Sequence, residues 1–166
     1  MRLFILVVLM SACGNQIMDP LPPPLPNSQV VRSIDLNLSL SIAIDDCIPM
    51  AGGLDTAIDR LNSYGIHVNM DVNAKLYMKC APNTLAQNER GGWIVGETWP
   101  NSHITIDTTF YDTAPSDTQA HIMMHELGHL FGAVHVGSKN SLMSPDNNNV
   151  LYLTDDDVES ILEHKF

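Results

Sequence analysis

Positive charge is scarce in this 166-residue chain, with eight Lys and Arg against 19 Asp and Glu and a net charge of −11 when histidines are neutral. No basic stripe is available to neutralise phosphates, which excludes a nucleic-acid partner. The acidity keeps a domain soluble and at most disfavours very acidic targets. Cysteine is scarce too: there are three, none in a C-x-x-C pair, which argues against a cysteine metal site. Long apolar runs are missing; the run Leu3–Met10 is too short to span a bilayer as a mature helix. No internal repeat is apparent. A chain of this length with 45% apolar residues builds one domain around a single core.

What is present is the run His125-Glu126-Leu127-Gly128-His129-Leu130-Phe131-Gly132-Ala133-Val134-His135. It fits H-E-x-x-H-x-x-G-x-x-H at all five fixed positions, a match that composition alone gives in on the order of one chain in 10⁵. The bland reading, a histidine-rich surface helix, is therefore set aside. The chemistry explains the spacing. Residues four apart lie on one helix face, so His125 and His129 offer two imidazoles to one ion. Glu126 is rotated by about 100° from His125, near the metal without ligating it, where it can accept a proton. A continued helix would carry His135 away. Gly132 can leave the helix in a left-handed conformation and return His135 as third ligand. Three neutral imidazoles with one open position suit a single catalytic Zn²⁺ per chain better than iron, cobalt or copper.

The N-terminus reads as an export signal over residues 1–12: Arg2, the apolar run, then Met10-Ser11-Ala12-Cys13, which resembles a bacterial lipobox. Cys13 would then carry the lipid, anchoring an exported protein at a membrane, facing the periplasm or exterior. Cleavage by ordinary signal peptidase, giving a secreted protein, is the alternative. Residues 13–29 form a linker, with Pro20, Pro22, Pro23, Pro24 and Pro26 favouring an extended spacer. Cys47 and Cys80 remain after the signal. In an exported protein they are expected to form a disulfide, against the alternative of two separate thiols.

Residues 30–166 form the folded domain. Ile34, Leu36, Leu38, Leu40, Ile42 and Ile44 alternate with small or polar residues, which predicts a half-buried strand. Leu54, Ala57, Ile58 and Leu61 predict an amphipathic helix ending near Gly65, followed by a strand over 66–72 that includes His67. Gly91–Gly96 and His103–Asp107 read as the last two strands, with Trp93 and Trp99 either lining a cleft or packing. Ser116 and Gln119 predict a capping box for a helix running to about Phe131. Gly128 inside that helix predicts a close approach by a neighbouring strand. His121, one turn before His125, is read as a neighbour of the site or a solvent-facing residue; His164 is read as exposed near the last helix end.

The histidine run resembles the metzincin zinc endopeptidases and is most similar to the matrixins. Ser141-Leu142-Met143-Ser144-Pro145 resembles the Met-turn of that clan, with Met143 eight residues after His135. Leu153–Val158 resembles the start of the matrixin C-terminal helix, where paired aspartates anchor the Met-turn and the N-terminal part. Val136, Ser144 and the absence of a recognisable second-metal loop depart from the matrixin pattern. Cys13-Gly14 could also be a relic of the matrixin cysteine switch, although its flanking residues are missing. The resemblance implies an α+β fold: a twisted, mostly parallel sheet with an antiparallel edge strand facing the cleft, an active-site helix, a Met-turn and a C-terminal helix. It implies a monomeric zinc metalloendopeptidase acting on peptide or protein substrates, in which a water on the three-histidine zinc attacks and Glu126 is the general base. A cell-wall amidase is a variant of that reading. The alternative is a non-catalytic zinc- or peptide-binding lipoprotein of the same fold, which would have no need of Glu126.

Overall fold

The computed structural model describes residues 36–45, 51–82, 95–99, 102–145 and 150–164. Its first strand, β1, is Leu38–Asp45. The predicted alternation holds there, but the strand starts later than the pattern suggests, because Asn37 takes a left-handed φ of 45° that asparagine tolerates and a β-branched residue would not. Ile34 lies outside the described residues. Helix α1 (Ala51–Asn62) buries Leu54, Ala57 and Leu61 on the predicted face. Gly65, at φ 71°, turns the chain into β2 (Ile66–Met70), which pairs parallel with β1 from Leu38↔Ile66 to Ile42↔Met70. A helix between two parallel neighbours is the connection such a pair requires.

Strand β3 (Leu76–Ala81) is absent from the sequence reading, yet it is the middle strand. Its only signal is Leu76, Met78 and Cys80 alternating with Tyr77 and Lys79, a run too short to stand out. β3 pairs parallel with β1 on one side and with β5 (His103–Asp107) on the other. The edge strand β4 is Gly96–Trp99, antiparallel to β5. It follows the predicted 91–96 strand and shares only Gly96 with it; residues 91–94, Trp93 among them, lie outside the described residues. Strand side chains alternate in direction, so Gly96 and Thr98 share one face, and a strand whose inner positions are Gly and Thr carries no apolar signature. The sheet order is β2-β1-β3-β5-β4, mostly parallel with an antiparallel edge, as expected. On its other face Trp99, His103 and Tyr77 are stacked, with ring centroids 6.0 and 5.0 Å apart, so Trp99 packs rather than standing open.

A single helical turn, α2 (Thr108–Tyr111), is capped by Asp107, which accepts from the Thr109 backbone N–H at 2.9 Å. It leads to α3 (Ser116–Leu130), the predicted long helix. The expected capping box is not formed: the cap position is Pro115, and the Gln119 amide instead donates to the Tyr111 carbonyl at 2.8 Å. The reciprocal cap occurs at α4 (Asp155–His164), where Asp157 Oδ2 accepts from the Thr154 backbone N–H at 2.8 Å and Thr154 Oγ1 accepts from the Asp157 N–H at 3.3 Å. Helix α3 is buried on nearly every side, between α1, the sheet and residues of the stretches 141–145 and 150–161.

The crossing of α1 over α3 is set by Gly53. A Cβ there would lie 2.7 Å from Gln119 Cβ and 3.1 Å from the Gln119 carbonyl carbon, and would also overlap the buried Tyr111 hydroxyl. Alanine would gain about 1 kcal/mol of helix propensity. Forcing the helices apart costs about 1–3 kcal/mol. Gly53→Ala is therefore expected to lower the midpoint of denaturant unfolding; a higher midpoint would show that the crossing is loose.

Candidate metal centre and active site

Helix α3 places His125 and His129 one turn apart, and its ending brings in the third histidine. Gly132 has φ 94°; its N–H donates to the His129 carbonyl at 3.0 Å and the Ala133 N–H to the Gly128 carbonyl at 3.1 Å. This crossed pair of bonds around a left-handed glycine is the Schellman ending, which satisfies the last carbonyls and reverses the chain. His135 then returns over the helix. The His125, His129 and His135 Nε2 atoms form a triangle with all three sides 3.2 Å. A tetrahedral ion bound by nitrogens at about 2.0–2.1 Å needs them about 3.3 Å apart, so the triangle fits Zn²⁺. Among the described residues this is the one cluster of His, Cys, Asp or Glu able to hold a metal.

The protonation pattern supports the same assignment. His125 Nδ1 lies 2.8 Å from the Leu142 carbonyl and His129 Nδ1 2.7 Å from the Ala133 carbonyl. A carbonyl only accepts, so both Nδ1 atoms donate, and in a neutral ring each Nε2 is left as a bare lone pair. Two bare lone pairs 3.2 Å apart repel unless a cation lies between them. The rings are held neutral. Burial lowers His125 well below the ordinary imidazole range, with the neighbouring His129, His121 and His135 charges adding to it. Burial lowers His129 as well, and pushes His135 down to about 4, with His129 contributing.

The remaining histidines stand apart. His121 is buried, donates from Nδ1 to the Val150 carbonyl at 2.8 Å and lies 6.0 Å from the His125 ring, beside the site rather than facing solvent. His67 is exposed and bonds Asn62 Oδ1 at 3.3 Å; His164 is exposed and donates to the Ser160 carbonyl near the end of α4.

Beneath the histidines runs the turn 141–144, closed by the Ser144 N–H donating to the Ser141 carbonyl at 3.2 Å. The fully buried Asp157 carboxylate accepts from the backbone N–H groups of Leu142 (3.1 Å) and Met143 (2.9 Å), from Thr154 N–H and Oγ1 (2.8 Å each), and from the Ser141 hydroxyl. Asp157 thus holds the turn while Asp155 and Asp156 are exposed, and the expected anchoring of the N-terminal part falls on residues outside the described ones. Met143 is fully buried against α3: a Cβ on Gly128 would lie 2.7 Å from its sulfur. The close neighbour expected at Gly128 is thus this side chain and not a strand. The loop carrying His135 is held from both sides. Val134 exchanges two hydrogen bonds with Ser160 Oγ (2.8 and 3.1 Å), and the Val136 N–H donates to the Met143 carbonyl at 3.0 Å.

Glu126, 2% exposed, leaves α3 toward the edge strand. Thr98 Oγ1 lies 2.6 Å from its Oε2 and 3.0 Å from its backbone carbonyl. Its Cγ and Cδ would stand 2.7 and 2.8 Å from a Cβ on Gly96, so the carboxyl lies against bare glycine backbone. Neither Thr98, Gly96 nor Ser160 carried a signal in the sequence; each matters only through a contact with a distant element. Cys80 is disulfide-bonded, while Cys47 and Cys13 lie outside the described residues.

The profile of the dual-action HEIGH metallo-peptidases, Peptidase_M57, matches residues 28–148. The chain belongs to this family. Here the five letters are His125-Glu126-Leu127-Gly128-His129, with leucine at the isoleucine position. No curated protein matches the chain in sequence. Among solved structures, archaemetzincin from Methanopyrus kandleri is similar with a TM-score of 0.54 at 15% identity, over 76% of this chain and 94% of that one. A zinc-dependent peptidase from Methanocorpusculum labreanum gives 0.50 at 10% identity, over 73% and 98%. At such identities the likeness is one of fold.

Burial of the HEIGH-family histidines predicts how the metal-free protein responds to acid. His121, His125, His129 and His135 are all lowered in the folded state, while in the unfolded chain they take up protons near about 6.5. Their contribution is fully present above about pH 6.5 and is lost as pH falls from there toward the folded values, about 4 for His135. The unfolding midpoint of chelator-treated protein is expected to drop across that window, and less steeply in His135→Gln. A flat profile, or the same slope in both proteins, would contradict the neutral cluster.

Proposed function

We propose that this chain is a zinc-dependent metalloendopeptidase (EC 3.4.24 type) of metzincin architecture. The observation that carries the reading is the equilateral 3.2 Å triangle of His125, His129 and His135 Nε2 atoms with the buried Glu126 beside it. The matrixin-like subgroup is the finer proposal. It is supported by Met143 packed against Gly128 eight residues after His135, and by Asp157 of the C-terminal helix holding the 141–144 turn.

His125, His129 and His135 would hold the ion, and when bound it supplies a Lewis acid that polarises a peptide carbonyl and acidifies water. Glu126 takes a proton from the attacking water and passes it to the departing amine nitrogen, so one water is consumed and an acid and an amine are released. Among the described residues β4 has a strand neighbour on one side only. An extended peptide pairing along its other side through main-chain hydrogen bonds would be held near Glu126.

The test is Glu126→Gln assayed on a mixed peptide library read by mass spectrometry. Gln fills the same space but is no base, so hydrolysis is expected to fall by about 10²–10⁴-fold, with one zinc per chain retained by elemental analysis. Full activity in this variant would remove Glu126 from the mechanism. A zinc-loaded wild type without chelator-sensitive hydrolysis would favour the non-catalytic binding lipoprotein.

For the N-terminal part, the proposal is a signal over 1–12, a lipid on Cys13, a proline-rich spacer over 13–29 and an exported, monomeric catalytic domain over 30–166. The disulfide at Cys80 supports an oxidising compartment. With Cys13 lipidated, Cys47 is its proposed partner: β1 pairs Asp45 with Lys79, and Cys47 follows Asp45 by two residues while Cys80 follows Lys79 by one. Cys13→Ser is expected to move the protein out of the membrane fraction. Wild-type protein recovered soluble with another N-terminal residue would refute the anchor and leave the peptidase reading intact.

A further inference from the structure

We propose that Thr98, on the edge strand, is a positioning residue that fixes the carboxylate of Glu126; the inference rests on the peptidase reading above. Three contacts point to it. Thr98 Oγ1 is 2.6 Å from Glu126 Oε2, the short range of a hydroxyl donating to a charged acceptor. The same oxygen is 3.0 Å from the Glu126 backbone carbonyl, so one hydroxyl proton is shared between the side chain and its own helix. Two residues earlier on the same strand face, Gly96 presents only a Cα to the Glu126 side chain, whose Cγ and Cδ would otherwise stand 2.7 and 2.8 Å from a Cβ.

Strand and helix therefore form a fitted seat. A glutamate has three side-chain torsions, and helix α3 alone fixes only where they begin. Thr98 is β-branched and sits in a strand paired at Thr98↔Ile104, so its hydroxyl direction is set by its own χ1 preference and by the sheet. The carboxylate inherits that direction. Proton transfer depends on the base lying within hydrogen-bond reach of the proton it takes, and a misplacement of about 1 Å can cost about 10²-fold. Nothing in this role requires Thr98 to touch substrate or metal, which is why it is assigned to positioning and not to catalysis.

Thr98→Val replaces the hydroxyl by a methyl of similar shape, and Thr98→Ser keeps the hydroxyl while removing the methyl. In zinc-loaded protein, Thr98→Val is expected to lower kcat by about 10- to 100-fold with KM within about twofold, and Thr98→Ser to recover most of kcat. Zinc content should stay at one per chain in both. A readout independent of activity is the unfolding midpoint of Thr98→Val, Glu126→Ala and the double variant, where the two changes are expected to be clearly less than additive. Should Thr98→Val fail to hold zinc, Thr98→Ala against Thr98→Ser reads the same hydroxyl.

Wild-type kcat in Thr98→Val overturns the proposal. So does equal loss in the valine and serine variants, which would assign the effect to the shape of the side chain and not to its hydroxyl, or strict additivity in the midpoints. A wild type that binds zinc but hydrolyses nothing overturns the peptidase reading itself; in that case the midpoint cycle reports the contact without a catalytic role.

Discussion

The buried carboxylate of Asp157 accepts five hydrogen bonds, and the geometry of the centre depends on them. A buried charge left without donors is strongly destabilising, so the surrounding chain is obliged to bring N–H and O–H groups to it. Those groups come from two places far apart in sequence: the 141–144 turn and the first turn of α4. Once joined, the turn offers the Leu142 carbonyl to His125 and the Met143 carbonyl to Val136, while α4 brings Ser160 to Val134. One histidine of the triangle is oriented directly, and the loop of another is clamped on both flanks. The histidine triangle is thus held in place by an acid that is not one of its members.

How much of this the sequence discloses follows from the range of each interaction. The three histidines and Glu126 were legible because their spacing is a property of one helix and its glycine ending. Helix α1 and strand β1 were legible because burial on one face writes its period into the residues. Strand β3 was not, because it is half-buried and only six residues long. The sequence pattern does not locate strand β4, because its inward positions are Gly96 and Thr98, which fit against Glu126 and fill no core. The capping box predicted for α3 does not form, for a related reason. Ser116 and Gln119 have the right letters, but the Tyr111 carbonyl, brought near by α2, takes the Gln119 amide.

Helix α3 shows how a polar site coexists with a core. It is covered nearly all round, by Leu54 and Ala57 of α1, by the sheet, and by Leu142 and Met143. A helix buried in this way has no polar stripe, and a period-based reading sees little order in it. The polar atoms inside are tolerated because each observed one is matched: ring nitrogens to carbonyls, the carboxylate of Glu126 to Thr98. The low-dielectric surroundings that keep the imidazoles uncharged also leave their lone pairs ready for a cation without prior loss of protons.

Gly128 lies between His125 and His129 in the helix and is met by the Met143 sulfur, 2.7 Å from where its Cβ would be. This ties two positions fifteen residues apart into a single volume. A larger residue at 128 demands a smaller or displaced one at 143, and a larger residue at 143 can be admitted only while 128 stays bare. The fourth letter of the family's five-letter signature is therefore part of a joint steric condition written half in the helix and half in the turn. Variation at either site should be readable only as a pair: one change alone damages the protein, and its partner change restores the fit.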